Sequence, residues 1–174
     1  MHPIKHFLTI TKHRHMVMWN CFRIGLYWQG LCHDLSKYSP AEFIPGAKYY
    51  NGHYSPNAGQ RAVEGCSSAW MHHKGRNRHH FEYWTDVREG EIGYHPFPMP
   101  KRYVAESVMD RIAASKVYRG KDYYVGCELD YLERSQESNV MHPETREALR
   151  EILTRLRDHG EKETFRWLKK EYLK

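Results

Sequence analysis

The chain has 174 residues and a formal net charge of +6, with Lys+Arg 27 against Asp+Glu 21. An apolar share of 40% and 14% aromatics exclude a disordered, tail-like protein. No uncharged apolar run approaches the ~20 residues that a spanning helix requires, which excludes a transmembrane protein. The opening Met1-His2-Pro3-Ile4-Lys5-His6 lacks the basic-then-apolar layout of a secretory signal. Cys21, Cys32, Cys66 and Cys127 show no CxxC spacing, so we expect core thiols in a reduced, cytoplasmic protein, without a zinc ribbon or disulfide framework. The mild basic balance suits an anionic small substrate as well as nucleic acid.

In chain order, Phe7 to Leu31 carries apolar residues at helical spacing and reads as one long or kinked helix, or two in tandem. Ser39-Pro40-Ala41-Glu42 combines a cap, a first-turn proline and a capping-box glutamate, and predicts a helix to about Tyr50. Residues 51–59 have loop composition, and a further helix is expected over Gln60 to His73. Glycines and prolines make residues 85–100 an irregular connection of the kind that often forms a lid. Lys101 to Tyr118 reads as a strong helix. Leu149, Ile152, Leu153 and Leu156 form an apolar stripe behind Pro143, and a last helix follows Gly160. Period-two alternation is nearly absent. The expected architecture is all-α, a single domain over residues 1–174, with the chemistry between about 10 and 120 and helices completing 121–174.

Three groups of residues carry chemistry. His33-Asp34, preceded by His13 and His15 and followed by Lys37, places imidazole and carboxylate at a helix end, where both suit a divalent metal. His72-His73 and His79-His80 are pairs seven residues apart. On a continuous helix they share faces two turns apart; if Gly75 and Asn77 bend the chain, the pairs converge from two segments. Asp110 lies on a face with Glu106, Ala113 and Ala114, and a carboxylate there must be paired or bind metal. Glu106, one turn earlier, is either a supporting carboxylate or surface.

The order His, His-Asp, histidine pairs, Asp resembles the HD-domain superfamily of metal-dependent phosphohydrolases, which are all-α. His13 with Val17 matches the early histidine, His33-Asp34-Leu35-Ser36-Lys37 the HD-x-x-K variant, and Asp110 the late aspartate. His15 competes with His13 for the first position, and the resemblance favours His13. Members with two metals place further histidines where His72, His73, His79 and His80 lie. The stretch His33 to Phe43, with the double histidines, also looks like a small bacterial and phage family that carries no assigned activity.

The resemblance implies one or two divalent ions (zinc, manganese, iron, cobalt or nickel) on His13, His33, Asp34, His72, His73, His79, His80 and Asp110. It implies hydrolysis of a phosphate ester, a nucleotide or small phosphomonoester, with Asp34 orienting or bridging and Lys37, Arg76 and Arg78 offsetting charge on phosphate oxygens. Tyr49, Tyr50, Tyr54 and Trp84 are candidate aromatic contacts for such a substrate. An oxygen-using di-iron enzyme is the second reading. The third is a nucleic-acid-binding module built on Arg76-Asn77-Arg78 with Phe81, Tyr83 and Trp84, which leaves Asp110 unexplained. No membrane partner is expected, and a homodimer remains open. The sequence has no GxxxxGK[ST], GxSxG or HExxH pattern.

Overall fold

The computed structural model describes residues 1–135 and 140–174. The expected all-α architecture is shown: 71% of the described residues are helical. Helix α1 (Pro3–Ile24) starts on a first-turn proline and ends at Gly25, whose φ of 87° is left-handed. Only glycine adopts that conformation at little cost, so the chain stops there and restarts as α2 (Tyr27–Cys32). The opening segment is therefore two helices in tandem.

Helix α3 (Pro40–Tyr49) starts where expected. Its capping box does not form: Ser39 makes no side-chain cap bond, and Glu42 points to histidines instead. The single helix expected over Gln60 to His73 is two, α4 (Pro56–Glu64) and α5 (Ser68–Lys74), divided at Gly65 with φ 77°. Residues 85–100 hold an unexpected antiparallel hairpin, β1 (Thr85–Val87) with β2 (Tyr94–Pro96), in the register Thr85↔Pro96. Helix α6 (Lys101–Arg119) matches its prediction. Helix α7 (Cys127–Arg134) had no counterpart in the sequence reading. Helix α8 (Pro143–Trp167) is interrupted at Gly160, where the expected break falls, and a π-turn follows over Leu168–Tyr172.

The core joins α1, α6, α7 and α8. Val17, Cys21 and Ile24 meet Val104, Val108 and Ile112, then Leu149, Ile152, Leu153 and Leu156. Residues 121–174 thus complete the core. Of the cysteines, Cys21 and Cys127 are buried as expected, but Cys32 is half-buried and Cys66 lies at the surface, within the short α4–α5 connection. Helices α3, α4 and α5 pack on one another, and α3 also on α1, forming a second layer. Among the described residues, no helix is long and apolar enough to cross a membrane.

Candidate metal centre

The buried residues of α1 recur every three or four positions, from His6 and Ile10 through His13 and Val17 to Ile24. This is one stripe of an α-helix, and it carries His13 inward. His15, two residues on and about 200° around the axis, is exposed. His13 alone therefore enters the cluster, as the resemblance favoured.

Asp34 is the only non-glycine residue with positive φ among the described residues (φ 55°, ψ 21°). Aspartate tolerates this left-handed conformation better than most residues, and here it lets the two oxygens face different histidines. Oδ2 lies 3.5 Å from His13 Nε2 and 3.3 Å from His33 Nε2. Oδ1 lies 3.3 Å from His73 Nε2 and 3.6 Å from His79 Nε2. Asp110, projecting from α6, brings Oδ1 to 2.9 Å from His13 Nε2 and 3.7 Å from His33 Nε2. Its Oδ2 lies 3.8 Å from His79 Nε2.

Two groups of four result, His13–His33–Asp34–Asp110 and Asp34–His73–His79–His80, beside a third of His33, His79 and Glu106, each with one ligand atom per residue within 4.8 Å of the others. Asp34 belongs to both groups of four. The Nε2 atoms of His33, His79 and His80 and Asp34 Oδ1 are buried without a hydrogen bond. Native proteins rarely leave such atoms unsatisfied, and here they converge with their lone pairs inward. Donors held about 2.0–2.2 Å from a tetrahedral metal stand roughly 3.3–3.6 Å apart, close to the spacing seen. The residues fit a divalent cation, and these buried clusters could hold one.

A second layer of carboxylates fixes the rings. Glu106, one turn before Asp110, accepts the His33 Nδ1 proton through Oε1 at 3.0 Å, and the same oxygen lies 3.2 Å from His79 Nδ1. Gln29 Nε2 donates to the other oxygen at 3.2 Å. Glu42 accepts from His73 Nδ1 and from His72 Nδ1, both at 2.7 Å. Protonation at Nδ1 leaves Nε2 as the inward acceptor, the usual arrangement of metal-binding histidines. Asn77 Nδ2 donates to the His73 carbonyl and to Ser36 Oγ, both at 2.8 Å, and closes the bend after α5.

That bend settles the geometry of the histidine pairs. They converge from two segments instead of sharing a helical face, and His73, His79 and His80 reach the cluster. His72 does not, because its Nδ1 is held outward by Glu42 and its side chain is 24% exposed. Glu42 escaped sequence reasoning because its position matched a capping box. Glu106 is a supporting carboxylate and not surface.

The electrostatics follow from burial against opposite charge. Burial disfavours charge on Asp34 and Asp110, but His33, Lys37 and His73 around Asp34, and His13, His33 and His79 around Asp110, hold both carboxyls well below their usual range. Burial likewise opposes a proton on His33, yet Asp34, Asp110 and Glu106 raise its pKa well above the ordinary value. Burial and then the neighbouring His79 and His73 push His80 well down, so it stays neutral. Lys37 Nζ forms an ion pair 2.6 Å from Asp34 Oδ2. The carboxylates and the basic groups around them hold one another by opposite charge, and a bound metal ion would supply that positive charge in their place.

The cluster opens into a cavity of about 980 Å³ between α6 and the 53–61 segment. Lys37, Arg61, Arg111 and Arg119 line it, with Tyr54, Trp70 and Tyr118. Arg76 and Arg78 do not reach it. Arg76 donates to the His72 carbonyl, and Arg78 donates to Tyr103 Oη and lies over the Tyr83 ring. Of the aromatic candidates, only Tyr54 faces the cavity; Tyr49 bonds Glu64, Tyr50 bonds Thr9, and Trp84 packs on Tyr103. No residue of 85–100 lines the wall, so that connection is not a lid.

The sequence matches DUF5662, described as a family of unknown function, over residues 2–155. The chain belongs to this family. No curated protein and no solved structure matches it. The DUF5662 match runs from α1 into α8, and every residue of the two groups, with Glu42 and Glu106, falls inside it.

Proposed function

We propose that this DUF5662 protein is an HD-type metal-dependent phosphohydrolase acting on a nucleotide or another small phosphomonoester. The observation that carries the reading is the pair of imidazole–carboxylate groups sharing Asp34 at the base of a cavity lined by basic side chains. His13, His33, Asp34 and Asp110 would hold one ion, and Asp34, His73, His79 and His80 a second. Bound divalent metal supplies Lewis acidity and a water of lowered pKa. The chain's own residues do the rest. Asp34 orients the nucleophilic water, and Asp110, facing both groups, accepts its hydrogen bond. Lys37 offsets developing charge on the phosphoryl oxygens, and Arg61, Arg111 and Arg119 draw the anion into the cavity. Arg76 and Arg78, outside the cavity, take no part. Phe81 and Trp84 pack against the core, which leaves little stacking surface for a nucleic acid.

The test is turnover of p-nitrophenyl phosphate and a panel of nucleoside monophosphates by metal-reconstituted protein. We expect turnover that chelation abolishes, and a loss of at least about 100-fold in kcat for Asp34→Asn and Lys37→Met. Absence of turnover on every ester by metal-replete protein overturns the proposal. A carboxylate shared by two histidine-rich groups also suits paired iron. Bound iron with an oxygen-dependent absorbance change would move the assignment to oxidation.

A further inference from the structure

The face of α6 turned toward the cavity extends past the metal ligands. Ser107, Asp110, Ala114 and Tyr118 line it at three- and four-residue intervals, with Ser115 beside Ala114. At 1.5 Å per residue, Ser115 stands about 7.5 Å along the axis from Asp110. Glu128, in the first turn of α7, meets the cavity there, near the Ser115 and Tyr123 hydroxyls. It is 1% exposed, and neither carboxylate oxygen makes a hydrogen bond of good geometry, although the Ser115 and Tyr123 hydroxyls stand close to it. It also forms no ion pair among the described residues. Arg119, at the same end of the cavity, lies over the Tyr124 ring at 5.5 Å. Burial raises the Glu128 pKa. A buried carboxylate without a counter-charge is costly, and neither the metal groups nor their supporting carboxylates use this one.

We propose that Glu128 is a substrate-binding residue that receives a protonated amine on the leaving group of a phosphate monoester. The position of the phosphate rests on the phosphohydrolase reading; the carboxylate's demand for a cation does not. An ammonium answers that demand better than an alcohol, since it neutralises the charge as well as donating hydrogen bonds. The small side chains of Ala114 and Ser115 leave the floor open between the two ends. The span corresponds to an amine roughly 6–8 Å from phosphorus, the reach of a four-carbon chain in a phosphonate or an ester.

Calorimetric binding of 4-aminobutylphosphonate and butylphosphonate to the metal-loaded protein tests this, since the two probes differ only in the amine. We expect the amine probe to bind the wild type about 10-fold tighter. In Glu128→Gln the ratio falls to near one while butylphosphonate affinity holds. Equal affinities in the wild type, binding of neither probe, or a preference that survives Glu128→Gln overturns the assignment. The wild-type comparison stands even if the variant misfolds. A lower melting temperature with an unchanged ratio marks Glu128 as structural only. Turnover of 4-aminobutyl phosphate and butyl phosphate is read separately. Amine preference without turnover keeps the subsite and removes the hydrolase; turnover without preference does the reverse.

Discussion

At the residue scale, ligand chemistry was legible and support chemistry was not. His13, His33, Asp34 and Asp110 stand out in the sequence because their order resembles the HD-domain pattern. Glu42 does not, because its fixing of His73 depends on contact between α3 and α5, for which neither segment carries a local signal. Glu106 tests how far the supporting layer matters. One of its oxygens faces Nδ1 of both His33 and His79, so it orients a ring in each group. Glu106→Gln should lower metal affinity about 10–100-fold, read by competition with a chromogenic chelator, while His15→Ala leaves it unchanged. A second residue-scale prediction concerns His6. Burial, then the charge of Lys37, lowers its pKa from 6.5 to about 4. Below pH 6.5 the unfolded chain takes up a proton that the folded ring refuses, so stability falls as pH drops from 6.5 toward about 4. Urea midpoints at pH 7.5 and 5 should fall further for the wild type than for His6→Gln.

At the element scale, starts were readable and breaks were less so. Pro40 and Pro143 announce α3 and α8, since proline at the first helical turn forfeits no hydrogen bond. Gly65 ends α4 in a left-handed cap, whereas Gly30, Gly46 and Gly59 sit inside helices. The residue type alone does not separate these uses, and the split between α4 and α5 was missed for that reason. The hairpin escaped because each strand spans three residues and one of them is Pro96. Gly46 illustrates an interior glycine kept for space. A Cβ there would lie 2.3 Å from His6 Nε2, a ring already packed on Phe43 and Tyr50. Gly46→Val should therefore destabilise the protein by about 2–3 kcal/mol, measured as a shift in the urea midpoint.

At the scale of the whole molecule, the fold divides its labour. The layer around α8 supplies apolar burial, while α1, α5 and α6 carry imidazoles and carboxylates to one point. The sequence reading placed substrate contacts on Arg76 and Arg78 because they neighbour the histidines in the chain. The structure draws the cavity's guanidinium groups from Arg61, Arg111 and Arg119, which are distant in sequence and line one cavity only because the fold sets α4 across from α6. Long-range proximity of that kind leaves no local trace. Because the ligand set is assembled only in the folded chain, a metal that binds it stabilises that state. At a hundredfold excess over Kd the gain is about 2.7 kcal/mol, so chelation should lower Tm by several degrees, and re-addition of metal should restore it.

The most direct measurement is elemental analysis of purified protein beside folded His33→Ala and Asp110→Ala variants. These two side chains come from separate elements and meet only across the proposed centre, 3.7 Å apart. Bound divalent metal in the wild type and its loss from both variants is the predicted result. Metal content that is the same in all three proteins, with their helical signal intact, would contradict the account.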